Sequence, residues 1–361
     1  MTDAVDERAL HVVSPASLRT WFRFFVHDPG GLDRIQHVGD DPRLSPDRLL
    51  RRLETTGARV AVFHSSHETL LRDRALADRL RDRGYPAFAQ SPEAARLGVD
   101  KFVMRRFFQE YGLSALPWWR PDSPEGTADN PLVVVKARSG TQSLGTRLAR
   151  LRGAALAGDE FCELYADGTE YSVLVYRDAA GDAVLPPVWK GPTSPDLVPP
   201  WRRLRLCPNP LGGAELDRRL REWGLRTAVA ARVCGWVEVE LLVTGDGTVH
   251  VLEINPRVSG TMRIAALATG IPPFSLHREP ALRGDLAAVR RAAEVPYSGP
   301  PIADPARATF GTSRLTVAAD SYAELVRMLG AAAEGQAGVV LASLVSTEES
   351  GRSVAVAGGR R

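Results

Sequence analysis

Acidic and amide side chains near residue 240 have the types and spacing of a site for a hard metal ion. Glu238 and Glu240 alternate along one apolar run, and Glu253 and Asn255 alternate along the next. The TGDG sequence between the runs is typical of a hairpin turn, which would set Glu240 across from Glu253. Facing carboxylates repel unless a cation lies between them, and oxygen ligands suit Mg²⁺ when phosphate supplies the rest. The alternative, a solvated sheet face, is less consistent with the apolar residues at the intervening positions.

Lysine is rare in this chain. Of 46 basic residues only Lys101, Lys136 and Lys190 are lysines, and the others are arginines. A GC-rich coding bias would explain the arginines but not the positions where lysine is kept. A compact ammonium group and a planar guanidinium are not interchangeable where one phosphate oxygen must be met at close range. We therefore expect each of the three lysines to take part in the chemistry of the protein.

Two further features could contact phosphate or a developing negative charge. The small-residue loop at 139–145 follows the strand that contains Lys136, and its backbone N–H groups could wrap a phosphate. A plain flexible connection explains the loop equally well, because it matches neither common glycine-rich motif. Arg257 lies two residues after Asn255 and could stabilise an oxyanion, although a surface ion pair is the alternative.

The elements that would position these residues begin with alternating strands and helices. Strands at 10–15, 34–39 and 59–66 alternate with arginine-rich helices, which indicates an open α/β domain with its ligand site near 64–68. The rest of the chain predicts further strands, one long helix and a small α+β tail: strands at 131–137, 161–166, 170–176, 183–190, 236–243 and 248–255, a helix at 216–233, and the tail from about 286.

Composition excludes several classes of protein. Hydrophobic residues make up 44% of the 361 residues and charged residues 25%, which is ordinary for a globular protein. The net charge is +3, and basic and acidic residues are interspersed without a basic stripe. We therefore expect no nucleic-acid partner. We also expect no membrane span and no signal peptide, because the sequence has no long apolar run and starts with MTDAVDERAL. Three dispersed cysteines are typical of reduced thiols in a cytoplasmic protein.

The order of these features resembles the ATP-grasp superfamily of ligases over roughly residues 60 to 275. Asp100 and Lys101 open a helix, and the segments VVVKARSGTQSLG, ELYADGTEYSV and VEVELLV…VHVLEINPR follow in the order of that superfamily. The VSGTM and LATG stretches are more similar to amino-acid ligases and carbamoyl-phosphate-synthetase-like members than to D-alanine–D-alanine ligase. The resemblance implies an α/β ATP-grasp fold with a pre-ATP-grasp domain at 1–98, a two-lobed ATP-grasp domain at 99–285 and a C-terminal α+β segment at 286–361.

The resemblance also implies how ATP and Mg²⁺ would bind. Glu163 would bond the adenine amino group, the backbone of residues 164–166 would form the adenine hinge, and Glu170 would hold the ribose hydroxyls. The loop at 139–145 would close over the triphosphate as a lid. The implied nucleotide contacts are Lys101, Lys136, Ser139, Gly140, Thr141, Ser143, Glu163, Leu164, Ala166, Glu170 and Lys190. Two Mg²⁺ ions, or Mn²⁺, would be bound by Glu240, Glu253 and Asn255.

The implied activity is an ATP-dependent carboxylate–amine ligation in which Lys190 and Arg257 are catalytic. Lys190 would reach the γ-phosphate, and Arg257 would steady the acyl phosphate and the tetrahedral intermediate. The products would be an amide, ADP and phosphate, with an amino acid as a substrate and a place in specialised metabolism. Transfer of the acyl group to a thiol or a carrier protein is an alternative, as is a nucleotide-binding module without catalysis. The resemblance leaves open whether the protein forms a homodimer.

Candidate contacts with the small-molecule carboxylate and amine lie in three places. His64 and Glu68 belong to the HSSHE segment, where a turn and helix start explain the sequence equally well. Glu238 could bind a substrate amine, and Ser259 and Gly260 could bind a substrate carboxylate.

Overall fold

The computed structural model describes eleven ranges of the chain: residues 9–13, 36–39, 44–120, 130–140, 145–199, 202–271, 281–300, 302–304, 307–310, 313–333 and 335–350. Within these ranges the strands form three sheets, and helices pack against them. The predicted α/β class is therefore confirmed.

The N-terminal sheet is parallel and has the strand order β2-β1-β3-β4. Its strands are β1 (Ala9–Val13), β2 (Gln36–Gly39), β3 (Val60–His64) and β4 (Ala87–Phe88). The helices that connect or follow them are α1 (Pro46–Thr56), α2 (Leu70–Arg81) and α3 (Pro92–Val99). Strand β3 ends at His64, so the HSSHE segment lies at the carboxyl end of this sheet, as predicted.

A second, antiparallel sheet has the order β5-β8-β6-β7 and forms a small lobe that positions Lys136 and Glu163. Its strands are β5 (Trp118–Trp119), β6 (Leu132–Ala137), β7 (Arg147–Arg150) and β8 (Glu160–Leu164). Helix α4 (Lys101–Glu110) precedes this sheet, and its N-cap Asp100 accepts hydrogen bonds from the amides of Phe102 and Val103. The cap fixes the first turn of the helix and with it Lys101.

The large sheet has eleven strands in the described residues, with the main order β14-β13-β9-β11-β12-β16-β19-β18-β17. These strands and the two that lie off this path are β9 (Gly168–Asp178), β10 (Gly181–Val184), β11 (Val188–Pro192), β12 (Arg205–Cys207), β13 (Gly235–Thr244), β14 (Val249–Asn255), β15 (Gly284–Asp285), β16 (Arg291–Pro296), β17 (Ala303–Asp304), β18 (Arg307–Phe310) and β19 (Arg314–Ala319). The strands after residue 285 thus extend the sheet that contains the acidic hairpin.

Helices cover the large sheet: α5 (Gly213–Ala230), α6 (Met262–Thr269), α7 (Tyr322–Leu329) and α8 (Gln336–Ser350). The sequence predicts one strand at 183–190, but the structure has two: β10 ends at Val184 and β11 begins at Val188. The break falls at Pro186 and Pro187, because proline has no N–H to donate to a sheet ladder.

The hairpin of β13 and β14 has the register that the sequence predicts. Glu240 pairs with Glu253, and Glu238 pairs with Asn255. The turn is fixed by Asp246, whose Oδ1 accepts hydrogen bonds from the Thr244 hydroxyl at 2.6 Å and the Thr248 amide at 3.0 Å. Gly247 has a φ of +83°, a conformation that disfavours any residue with a side chain.

All three cysteines lie in the described part of the chain. Cys162, Cys207 and Cys234 are free thiols, and burial raises the pKa of each. Across the described ranges, no helix combines the length and the hydropathy that a bilayer span requires.

Gly224 allows helix α5 to lie close against the large sheet. A Cβ atom at this position would come within 2.6 Å of Cγ1 of Val173 on β9. Because both elements are buried there, the contact could be relieved only by moving the helix or the strand.

We expect Gly224→Val to lower the free energy of unfolding by about 1–3 kcal/mol, the usual cost of overpacking a core. Urea unfolding followed by circular dichroism would measure it. Val229→Ala is the matched control, because Val229 lies in the same helix and is 46% exposed. Equal midpoints for the two variants would contradict the close packing of α5 on β9.

Candidate active site

The acidic hairpin brings three predicted metal ligands into contact. Asn255 Nδ2 donates a hydrogen bond to Glu240 Oε1 at 3.2 Å, and Glu253 lies directly opposite Glu240. The alternate residues Val239 and Leu241 are fully buried, so only one face of β13 is available for polar contacts here. Oxygen donors of this kind suit Mg²⁺.

All three lysines contact a carboxylate that the sequence assigns to the site. Lys190 Nζ lies 2.7 Å from Glu240 Oε2, and Lys136 Nζ lies 2.5 Å from Glu163 Oε2. Lys101 Nζ lies 3.5 Å from Glu253 Oε1 and donates to the carbonyl of Gly140 at 2.7 Å. These lysines come from three different parts of the fold: Lys101 and Lys136 line one cleft, and Lys190 lies beside it through its contact with Glu240.

The Lys190–Glu240 pair is buried, with 2% and 22% of the two side chains exposed. Burial alone would raise the pKa of Glu240, but the ion pair with Lys190 and the nearby Arg205 and Arg257 lower it below its usual value. Glu240 is therefore ionised, and its largely buried negative charge requires a cation beside it.

The same residues offer a divalent cation a partial ligand set. Among the described residues, no group of three His, Cys, Asp or Glu side chains is arranged to hold a metal by itself. Glu240, Glu253 and Asn255 supply oxygen atoms from two adjacent strands, which fits a metal whose remaining ligands are phosphate oxygens.

Arg105 was not identified from the sequence, although it forms a buried ion pair with the cleft residue Glu163. Its side chain is 2% exposed, and Nη1 lies 2.8 Å from Glu163 Oε1. Nη2 donates to the carbonyl of Leu252 at 2.7 Å, and the guanidinium lies 5.8 Å from the ring centre of Phe161. Arg105 thus joins the small lobe to strand β14 of the large sheet. Because arginine is the common basic residue here, its type gave no signal.

Glu163 is more enclosed than an adenine-binding role requires. Only 1% of its side chain is exposed, and its two oxygens are paired with Arg105 and Lys136. In the predicted hinge, the amides of Leu164 and Tyr165 donate to the carbonyls of Pro117 and Leu132. Any hydrogen bond from the hinge to adenine would therefore come from its carbonyl groups or from the Ala166 amide.

The predicted nucleotide residues line one cleft between the small lobe and the large sheet. Its described lining includes Lys101, Lys136, Ser139, Gly140, Glu163, Leu164, Ala166, Glu170, Glu240 and Glu253. Thr141 and Ser143, from the predicted lid, lie outside the described residues. Lys190 is adjacent through its contact with Glu240.

Arg203 is a second residue that the sequence did not reveal. Its Nη2 donates to Glu170 Oε1 at 2.9 Å, and its Nη1 donates to the carbonyl of Pro192. Both Arg203 and Glu170 line the cleft, and 14% of each side chain is exposed. Arg203 therefore holds the carboxylate that we expect to meet the ribose.

Arg257 lies between the hairpin and the HSSHE segment. Its Nη2 donates to Asn255 Oδ1 at 2.8 Å. Its positive charge helps to lower the pKa of His67, after the larger effect of burial. The pKa of Glu68 is also lowered, mainly by a hydrogen bond from Ser66 and backbone contacts, with a smaller contribution from Arg257.

His64 is buried and hydrogen-bonded to His11 at 2.8 Å.

Glu238 is the centre of a buried hydroxyl network. Its Oε1 accepts hydrogen bonds from Ser172 at 2.5 Å and from Thr261 at 2.7 Å. Ser259 shares a hydrogen bond with the Thr261 hydroxyl at 3.0 Å, so the predicted substrate residues Glu238 and Ser259 belong to one network. A Cβ atom on Gly260 would approach Arg314 at 3.1 Å, which places Gly260 against a cluster of arginines.

That cluster surrounds Glu294, which is fully buried. Arg205, Arg263 and Arg314 all donate to its carboxylate, and Thr316 adds a hydroxyl at 3.0 Å. Burial works to raise the pKa of Glu294, but the three arginines lower it to about 2. A carboxyl group with a lowered pKa stabilises the folded state above its unfolded value, near 4.5, and loses that contribution as the pH falls toward 2.

We expect Glu294→Gln to lower the free energy of unfolding at pH 7 by about 3–5 kcal/mol, because the buried arginines lose their shared carboxylate. Urea unfolding at several pH values would show the difference from the unchanged protein shrinking between pH 4.5 and 2. Glu222→Gln is the control, since that glutamate is 59% exposed. A difference that stayed constant down to pH 2.5 would refute the role of this charge.

No protein-family profile matches the chain. The D-alanine–D-alanine ligase of Oleidesulfovibrio alaskensis is 26% identical over 238 residues, which cover 61% of this chain and 77% of that protein. The N5-carboxyaminoimidazole ribonucleotide synthetase of Thermus thermophilus superposes with a TM-score of 0.65 at 20% identity and covers 93% of this chain and 98% of that one. The L-amino acid ligase of Bacillus licheniformis superposes with a TM-score of 0.64 at 16% identity and covers 89% and 95%.

The similar structures have the ATP-grasp fold that the motif order implied, and the sequence relative is a ligase. The described cleft is lined by Lys101, Lys136 and the hairpin residues Glu240 and Glu253. The chain therefore has the ATP-grasp fold, and over about three fifths of its length it is similar in sequence to a D-alanine–D-alanine ligase.

Proposed function

We propose that the chain forms an amide bond between an amino-acid carboxylate and an amine, with ATP converted to ADP and phosphate. The observation that supports this most strongly is the contact of all three lysines with site carboxylates in one cleft. Lysines that served only to keep the surface soluble would not be buried as Lys190 is. They would also not converge on neighbouring carboxylates from positions 35 or more residues apart in sequence.

In this proposal the lysines serve two sets of partners. Without nucleotide, Lys190 and Lys101 neutralise Glu240 and Glu253. Glu240, Glu253 and Asn255 would hold Mg²⁺, which would supply charge neutralisation at the phosphates. Lys190 and Lys101 would then be available to phosphate oxygens, while Lys136 stays oriented by Glu163.

The reaction would proceed in two steps. The substrate carboxylate attacks the γ-phosphorus of ATP, the bond to the β-phosphate oxygen breaks, and ADP leaves. Arg257, held by Asn255, would steady the acyl phosphate through its guanidinium. The amine then attacks the acyl carbon, loses a proton and expels phosphate. Water must be excluded throughout, because it would hydrolyse the acyl phosphate.

The test is phosphate and ADP release from ATP and Mg²⁺ with a panel of amino acids, singly and in pairs, followed by mass spectrometry. We expect release that depends on an added carboxylate and a product lighter than the two substrates by one water. Hydroxylamine, as a general amine, would trap the acyl group as a hydroxamate. Carboxylate-dependent release with hydroxylamine but with no amino-acid pair would instead favour a carrier-bound or thiol acceptor. ATP binding without release would favour a module without catalysis.

The substitution Lys136→Arg keeps the positive charge but replaces the ammonium group with a guanidinium, so it tests whether lysine itself is required. We expect phosphate release to fall by about 100-fold or more, because a guanidinium cannot occupy the position that Glu163 gives the ammonium group. Arg106→Lys is the control, since Arg106 is exposed on α4 and does not line the cleft. Activity of Lys136→Arg equal to that control, at an unchanged melting temperature, would disprove a specific role for lysine.

A further inference from the structure

A second cavity lies beside the nucleotide cleft, where the carboxyl end of the N-terminal sheet meets the large sheet. It is lined by His64 and Phe88 from the N-terminal sheet, by Tyr176 and Trp236 from β9 and β13, and by Arg257. Arg257 also donates to Asn255 Oδ1 at 2.8 Å. A single side chain thus borders both the second cavity and the proposed site of acyl-phosphate formation.

Polar groups in the wall of this cavity are hydrogen-bonded to one another. Gln90 donates to the carbonyl of Trp236 at 2.7 Å and accepts from the amide of Cys234 at 3.2 Å. Asp178 forms an ion pair with Arg283 at 2.7 Å. These contacts satisfy polar atoms of Gln90 and Asp178 within the protein, and apolar side chains make up much of the rest of the wall.

Aromatic rings make up much of that apolar surface. Tyr176 and Trp236 meet edge to face, with ring centres 5.2 Å apart. Phe63 also lines the cavity and is 8% exposed, whereas Phe88 at the same wall is 49% exposed. A large apolar side chain bound there would cover Phe88 and gain contact with the neighbouring rings.

Arg257 gives the cavity a charged end. Among its described lining residues, Arg257 is the only one with a permanent positive charge. Its Nε is buried and has no hydrogen-bond partner in the part of the chain that the structure describes. A carboxylate can accept from two N–H groups of one guanidinium, which favours a carboxylate at this end.

We propose that this cavity receives the side chain of the carboxylate substrate, and that this substrate is an amino acid with an aromatic or large aliphatic side chain. Its carboxylate would lie at Arg257, next to Asn255 and Glu240, and its side chain would lie against Phe88, Tyr176 and Trp236. The inference rests on the proposed function and specifies the substrate class of the same site.

Two measurements test it. The first is isothermal titration of the protein, with a non-hydrolysable ATP analogue and Mg²⁺, by both enantiomers of phenylalanine, leucine, alanine and aspartate. The second is phosphate release with ATP, Mg²⁺, hydroxylamine and the same amino acids. We expect at least one enantiomer of phenylalanine or leucine to bind about tenfold or more tightly than alanine or aspartate, and to show the higher kcat/KM.

Phe88→Ala isolates the contribution of the cavity wall. Because Phe88 is half exposed, its removal should leave the fold intact. We expect the Kd and KM for phenylalanine to rise by about five- to tenfold, with the values for alanine and ATP unchanged. Leu71→Ala is the matched control, since Leu71 is 50% exposed in the same domain and does not line the cavity. Phe88→Leu should restore most of the affinity.

The outcomes separate the two proposals. Binding of phenylalanine or leucine that Phe88→Ala weakens, without any phosphate release, would support the cavity and overturn the ligase function. Release that is highest with alanine or aspartate, with Phe88→Ala equal to Leu71→Ala, would overturn the cavity assignment and leave the ligase function standing. No binding of a large apolar amino acid would also overturn the cavity assignment.

Discussion

Electrostatic repulsion between Glu240 and Glu253 constrains the whole cleft. The hairpin register sets the two carboxylates opposite each other, and burial makes each unpaired charge more costly. The structure meets this requirement with Lys190 from β11 and Lys101 from α4, which reach the hairpin from different directions. The fold around the hairpin must therefore hold a strand and a helix in fixed positions before any ligand arrives.

Arg105 extends the same principle to the second lobe. It pairs with Glu163 and donates to the backbone of β14, so a buried cation lies at the junction of the lobe and the sheet. Since Glu163 also orients Lys136, the position of that lysine depends on the strand that contains Glu253. A shift of β14 relative to the small lobe would therefore change the position of Lys136 through the contact of Arg105 with Glu163 and that of Glu163 with Lys136.

The local parts of the site could be predicted from the sequence because their signals are local. Alternation of acidic and apolar residues around a short turn determines which side chains of β13 and β14 share a face, and the observed register agrees. The rarity of lysine singled out Lys101, Lys136 and Lys190, all of which contact site carboxylates. The end of β3 was likewise predicted to within two residues, because the change from an apolar run to the polar HSSHE segment is a local signal.

Long-range contacts between common residue types could not be predicted. Arg105, Arg203 and the arginines around Glu294 are ordinary residues in an arginine-rich chain, and only the tertiary structure shows which are buried beside a carboxylate. The pairing of Glu163 with two cations depends on strands β6 and β8 and helix α4 meeting, which no local pattern encodes. Prolines between β10 and β11 were visible, but their effect on the strand was missed.

The position of every lysine in or beside one cleft also determines how the protein reacts with reagents that modify amines. In most proteins such reagents label dozens of surface lysines, whereas here each lysine lies against a site carboxylate and the side chains are 14%, 23% and 2% exposed for Lys101, Lys136 and Lys190. Apart from the α-amino group, acylation of amines therefore occurs within the cleft. Amine-directed coupling to a solid support or a dye would consequently compete with nucleotide, and protection from labelling would report directly on cleft occupancy.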